Sequence, residues 1–155
     1  MREVAVSALT RPHSVRLYQE KLWVANSRYG ELVVVAPGHS ATGYDTFCKL
    51  PGWARGLCIV DGIAFVGTSR VIPRFRRYAP GLDVERSRCA LHAIDTRSGE
   101  LLGSLTWPYG NQIFAIEWIA HSLSTGLPVP SGARGGAARL KQLFYSFDNK
   151  ETTHR

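Results

Sequence analysis

A repeat with a fixed offset of 42 residues constrains the fold of this 155-residue chain more than any other feature. The segment Val15–Ser27 (VRLYQEKLWVANS) aligns without gaps with Leu57–Ser69 (LCIVDGIAFVGTS). Each copy reads as a strand, a tight polar turn and a second strand that is continuously apolar, as expected of strands covered on both faces. Repetition at this period predicts an architecture built from copies of one supersecondary unit.

Two further strands complete each copy of the repeat. They are Glu31–Ala36 and Tyr44–Leu50 in the first copy, and Cys89–Asp95 and Glu100–Thr106 in the second. The turn Thr96–Gly99 favours a hairpin, because glycine accepts a positive φ there. We therefore predict two four-stranded antiparallel blades, at residues 13–50 and 54–106.

Four-stranded repeats of about 40 residues are typical of β-propellers, so the predicted fold class is an all-β propeller. Glu3–Leu9 reads as a lone last strand, and Gln112–Ile119 reads as the first strand of a partial third blade. Two blades cannot close a ring of the usual four to eight. We therefore expect an incomplete propeller, either a piece of a larger one or the product of a shortened reading frame, whose open blade edges permit self-association.

The predicted domain organisation is a blade segment over residues 1–121 and a flexible basic tail over 122–155. The tail is irregular, with a short helix predicted at Ala137–Phe147, where apolar residues recur at helical spacing. No apolar run is long enough for a membrane span, and no signal peptide precedes the repeats. Three cysteines without a C-x-x-C pair indicate buried free thiols in a cytoplasmic protein.

The net charge of +7 is unevenly distributed. Residues 70–88 hold six arginines against Asp83 and Glu85, and the tail holds the rest of the excess. Such a concentration indicates an anionic partner, a small molecule or a protein. Because the blades themselves are neutral, the charge disfavours nucleic acid as that partner.

One face of the predicted blades collects the polar residues, because antiparallel alternation brings the connections between blades and the second-to-third-strand loops to the same side. The candidate ligand-binding residues on it are His13, Asn26, Arg55, Arg70, Arg74, Arg77, Asn111 and Gln112. Structural alternatives stay open: Asn26 satisfies backbone groups, Arg55 pairs with Glu117, and Trp53 seals a blade junction.

The insertion 70–88 lies on this face. Loops of this length in compact domains are usually functional or disordered. Apolar residues within it, Val71, Ile72, Phe75, Tyr78 and Leu82, are expected to pin it down as an ordered lid. Its arginines would then be available to a carboxylate or phosphate. The alternative, a solvated loop whose arginines pair locally, stays open.

No motif of nucleophilic, metal or nucleotide chemistry occurs in the sequence. The histidines show no metal-ligand spacing, so no catalytic residue, metal ligand or cofactor is predicted. The pattern favours a binding module over an enzyme.

The combination PHSVR, LWVANS, ARGL, AFVGTSR, DTRSGE and WPYGNQIFAIEW resembles an uncharacterised bacterial family, a domain of unknown function with some members fused to tetratricopeptide repeats. The resemblance covers roughly residues 3–120, and the chain is similar to the C-terminal part of the longer family members. It implies a propeller and no known activity. A weaker likeness of LWVANS to six-bladed gluconolactonase-type propellers implies an alternative, a lactonase-like hydrolase using calcium or another divalent cation near Asn26 and Asn111.

Overall fold

Eight β-strands form two four-stranded sheets in the computed structural model, which describes residues 5–36, 44–108 and 110–120. Both sheets lie in one unit, Met1–Trp118. The first sheet contains β1 (Pro12–Tyr18), β2 (Lys21–Asn26), β3 (Glu31–Val35) and β4 (Asp45–Lys49). The second contains β5 (Trp53–Val60), β6 (Ile63–Ser69), β7 (Ala90–Asp95) and β8 (Leu101–Thr106).

Strands in each sheet follow chain order, and every neighbouring pair is antiparallel. The all-β prediction is confirmed, and two such sheets are consistent with an incomplete propeller. The third and fourth strands of each predicted blade agree with β3, β4, β7 and β8 to within one residue at each end.

The repeat extends from the sequence to the backbone torsions. The register of β1 against β2 shifts between His13 and Arg16, and that of β5 against β6 shifts between Arg55 and Leu57. The skipped residues at the shared repeat position, Ser14 and Gly56, have φ values of 54° and 70°. The two-residue hairpin turns also correspond, because Gln19–Glu20 and Asp61–Gly62 all have positive φ, as tight hairpins between twisted strands favour.

The hydrophobic core joins the two sheets. Trp23 and Leu32 of the first sheet pack in one cluster with Leu57 and Val66 of the second. Leu57 is wholly buried, whereas Val15, at the same repeat position in the first sheet, is 53% exposed. Burial at this position therefore accompanies the packing of one sheet against the other.

In each sheet a serine bonds to the segment that follows that sheet: Ser27 directly after β2, and Ser69 as the last residue of β6. Ser27 Oγ donates to the carbonyl oxygen of Ala54 at 2.6 Å. Ser69 Oγ donates to the carbonyl oxygen of Ile113 at 3.1 Å and accepts from its N–H at 3.0 Å. Ile113 thus takes the place after the second sheet that Ala54 takes after the first.

The predicted flanking strands are not regular strands in the structure. Residues 112–120 have no regular secondary structure, and neither do residues 5–9, the described part of Glu3–Leu9. A strand needs a neighbour for its ladder of hydrogen bonds, and no described strand pairs with either segment. The predicted tail, including the helix Ala137–Phe147, lies outside the described residues.

The insertion 70–88 contains a six-residue 3-10 helix, Pro73–Tyr78, with proline in its first turn. Val71 is buried, and its N–H donates to Ser87 Oγ at 3.0 Å. Asp83 Oδ1 accepts from two following backbone N–H groups. These bonds give the insertion a defined path despite its length.

The three cysteines are free, as predicted, with Cys58 and Cys89 buried and Cys48 half-buried. Burial raises the pKa of the Cys48 thiol to about 11, so this side chain is a protonated, unreactive thiol near neutral pH. Within the described parts of the chain there is no helix with the length and apolar character needed to cross a membrane.

Candidate functional site

A cavity of about 440 Å³ lies between the insertion and the segment that follows β8. Its apolar lining consists of Trp53, Ile72 and Phe75, and its polar lining consists of Arg70, Arg74, Asn111 and Gln112. Small-molecule sites typically enclose about 300–1,000 Å³ and combine apolar walls with a few polar groups. The cavity therefore has the size and the lining of a small-molecule site.

Three segments converge on this cavity because the sheet is antiparallel. Trp53 begins β5 and pairs with Ser69, the last residue of β6. The insertion leaves β6 directly after Ser69, and the segment after β8 returns to the same end of the sheet. There the N–H of Arg70 donates to the carbonyl oxygen of Asn111 at 2.9 Å, which ties the start of the insertion to that segment.

Aromatic rings form one wall of the site. The rings of Trp53 and Phe75 have centroids 6.0 Å apart and planes inclined by 31°. The Arg74 guanidinium carbon lies 4.8 Å from the Phe75 centroid, a distance at which a cation is attracted to the ring face. Among the described residues, Trp53 Nε1 is the one buried side-chain nitrogen or oxygen without a hydrogen-bond partner.

The charge of the cavity is positive. Arg70 and Arg74 are exposed, and neither forms an ion pair with a described carboxylate. Asp83, an acidic residue of the same insertion, pairs instead with Arg86. Because none of the lining residues in the described part of the chain is acidic, the two guanidinium groups give this part of the site a positive charge.

Four of the eight candidate residues line this cavity, and two others form a separate pair. Arg55 Nη2 lies 3.3 Å from His13 Nε2, and its guanidinium lies 5.1 Å from the Phe114 ring centroid. Burial, with help from Arg55 and Arg11, lowers the pKa of His13, so its imidazole is neutral at pH 7. The alternative partner of Arg55, Glu117, forms its ion pair with Arg16.

The last two candidates, Arg77 and Asn26, lie elsewhere. The Arg77 guanidinium lies over the Tyr78 ring at 4.7 Å. Asn26 is wholly buried: its Oδ1 accepts from the Thr10 N–H at 2.8 Å, and its Nδ2 donates to Glu31 Oε2 at 2.8 Å. Both polar groups of the Asn26 amide are thus hydrogen-bonded inside the protein, which agrees with the alternative in which Asn26 satisfies backbone groups.

A buried histidine in the second sheet has a structural environment as well. His92 Nε2 lies 3.0 Å from Thr68 Oγ1, and its Nδ1 lies 2.8 Å from Ser104 Oγ. Thr68 Oγ1 also lies 2.9 Å from the carbonyl oxygen of Arg88, so both ring nitrogens of His92 have a hydroxyl partner within the second sheet. Burial lowers the pKa of His92.

No group of three or more His, Cys, Asp or Glu side chains is arranged to hold a metal ion within residues 5–36, 44–108 and 110–120. The sequence assigned the cavity's apolar residues to other roles, Trp53 to sealing a junction and Ile72 and Phe75 to pinning the insertion. The signal that points to them is the interleaving of aromatic and branched apolar residues with arginine in 70–88.

A family model with the description Domain of unknown function (DUF4915) matches residues 1–126. No curated protein and no solved structure matches the chain. The match confirms the predicted resemblance to an uncharacterised domain, while bacterial origin and fusion to tetratricopeptide repeats stay predictions.

Proposed function

The chain belongs to the family of the domain of unknown function DUF4915, and we propose that it is a binding module that captures an anionic small molecule. The observation that carries the proposal is the cavity in which Arg70 and Arg74 lie without a carboxylate among the lining residues. Guanidinium groups bind carboxylates and phosphates through charge-assisted hydrogen bonds, often in bidentate geometry.

The amides of Asn111 and Gln112 supply the polar groups that orient a ligand. Each amide offers both donors and an acceptor, so the two side chains recognise neutral polar groups next to the anion. The backbone bond between Arg70 and Asn111 supports one cationic and one amide position together. Binding then needs little rearrangement of this part of the site.

A small molecule is favoured over a protein partner because the positive groups border a concave space, whereas protein interfaces are larger surfaces.

The protein partner remains a sequence-based prediction. Exposed Leu101, Leu102 and Leu105 on the outer strand β8 support self-association. The three free thiols support a reducing, cytoplasmic location. No observation on the described residues favours the calcium-dependent hydrolase.

The experiment measures binding of inorganic phosphate, ribose 5-phosphate, AMP, acetate and benzoate by calorimetry at low ionic strength. The double variant Arg70→Ala/Arg74→Ala is expected to weaken binding of the tightest probe at least tenfold, because each charge-assisted hydrogen bond contributes about 1.5–3 kcal/mol.

The matched control is Arg76→Ala/Arg97→Ala, which removes the same charge from exposed residues that do not line the cavity. Its affinity is expected to stay within twofold of the unmodified protein. Equal weakening in the two double variants would mean that the overall charge, and not the cavity, attracts the anion. Absence of binding to all five probes contradicts the proposal.

A further inference from the structure

We propose that the ligand of this cavity carries a planar heteroaromatic ring next to its anionic group, with the ring lying against Trp53 and Phe75. This inference rests on the proposed capture of an anion and adds the chemical class of the ligand. A nucleobase joined to a phosphate is the type of molecule that combines the two groups.

The first argument is the apolar surface that an anion alone would leave uncovered. Trp53 and Phe75 are close enough, at 6.0 Å between centroids, to act as one aromatic surface, and Ile72 extends it. Aromatic faces favour offset stacking with other π systems, and every nucleobase has a suitable face. A cavity of about 440 Å³ also has room for more than an inorganic phosphate or a short carboxylate.

The second argument is that the two cations lie in the same cavity as the two aromatic rings. Arg74 lies over Phe75, with its guanidinium carbon 4.8 Å from the ring centroid. Arg70 lines the cavity together with Trp53. A ligand bound through its anion to Arg74 therefore has its next few atoms beside an aromatic ring.

The third argument comes from the adaptable polar groups that line the cavity. The amides of Asn111 and Gln112 match the mixed donors and acceptors on the edge of a heteroaromatic ring.

The test compares probes that differ by one group: AMP, adenosine and ribose 5-phosphate, with benzoate and acetate as the pair whose anion is a carboxylate. Calorimetry is expected to show AMP binding about 5- to 150-fold more tightly than ribose 5-phosphate, the contribution of one stacked base. Phe75→Ala is expected to remove most of that difference without changing the affinity for ribose 5-phosphate. Trp53→Phe, which keeps a ring, is expected to preserve most of it.

The matched control is Tyr78→Ala, which removes a ring of the same 3-10 helix that does not line the cavity. Far-UV circular dichroism verifies that each variant is folded. The control is expected to bind AMP and ribose 5-phosphate as the unmodified protein does.

The outcomes separate this inference from the function on which it rests. One outcome is that AMP binds no more tightly than ribose 5-phosphate, and benzoate no more tightly than acetate, while Arg70→Ala/Arg74→Ala weakens binding of both kinds of probe. That outcome overturns the contact with a ring and leaves anion capture standing. Adenosine binding as tightly as AMP supports the ring and overturns anion capture. Failure of every probe to bind overturns both.

Discussion

Replacing Leu57 with alanine tests whether the two sheets are held together by the side chains of β5. Leu57 is wholly buried in the cluster that draws on both sheets. Truncation of a buried leucine to alanine costs about 2–5 kcal/mol, the sum of lost transfer free energy and the cavity left behind. Packing from both sheets around this position limits its collapse, so we expect a value in the upper half of that range.

Val15→Ala is the internal control, because Val15 occupies the same repeat position but is 53% exposed. Val15→Ala removes two methyl groups, which would cost about 1.6 kcal/mol if the site were fully buried. At a half-exposed site the expected cost is half of that, about 0.8 kcal/mol. The two substitutions therefore differ several-fold in the expected loss of unfolding free energy, although the sequence repeat treats the positions as equivalent.

Urea unfolding followed by tryptophan fluorescence measures both losses, since Trp23 lies in the same cluster as Leu57. With a slope of about 1–3 kcal/mol per molar urea, Leu57→Ala is expected to lower the midpoint by roughly 1–5 M, and Val15→Ala by roughly 0.3–0.8 M at the same slope. Equal shifts for the two variants would refute the conclusion that β5 packs against the first sheet.

Two further substitutions test polar contacts. Ser69→Ala removes both hydrogen bonds to Ile113 and is expected to cost about 1–3 kcal/mol and to speed amide exchange at Ile113; Ser27→Ala should leave that amide protected. Because burial holds the folded pKa of His92 below its ordinary 6.5, its contribution to the unfolding free energy is complete above about pH 6.5 and is lost as the pH falls. The urea midpoint should thus fall between pH 7 and pH 5, and it should fall less in His92→Gln. If the pH dependence of the midpoint changes only in His13→Gln, the effect belongs to His13.

Much of the fold could be predicted because the relevant information is local and periodic. The apolar runs and the turn residues at the 42-residue offset define the eight strands without reference to distant contacts. The segment Gln112–Ile119 has a strand-like pattern too, but its backbone forms no ladder with a described neighbour. Sequence alternation predicts which face a residue occupies, whereas strand formation also depends on a partner.

The candidate site was predictable to the level of a sheet end but not of individual side chains. Asn26 and Arg70 both follow apolar strands, and the sequence gives no basis for ranking them. The pairing of Asn26 with Glu31 across β2 and β3 brings a carboxylate to its amide, which removes it from the surface. Arg70 has no acidic strand neighbour of this kind, so it stays exposed.

The comparison of the two repeats explains where the cavity arises. At the shared offset, Arg28 corresponds to Arg70 and Arg11 corresponds to Trp53. In the first sheet a three-residue 3-10 helix, Ser27–Tyr29, follows the second strand, and Arg28 Nε donates to the carbonyl oxygen of Tyr78 at 2.9 Å. The first arginine therefore braces the insertion of the second repeat. Its equivalent, Arg70, lines the cavity together with Trp53 and residues of the insertion. The cavity therefore depends on an arginine that the two copies share, and on Trp53 and the insertion, at which they differ.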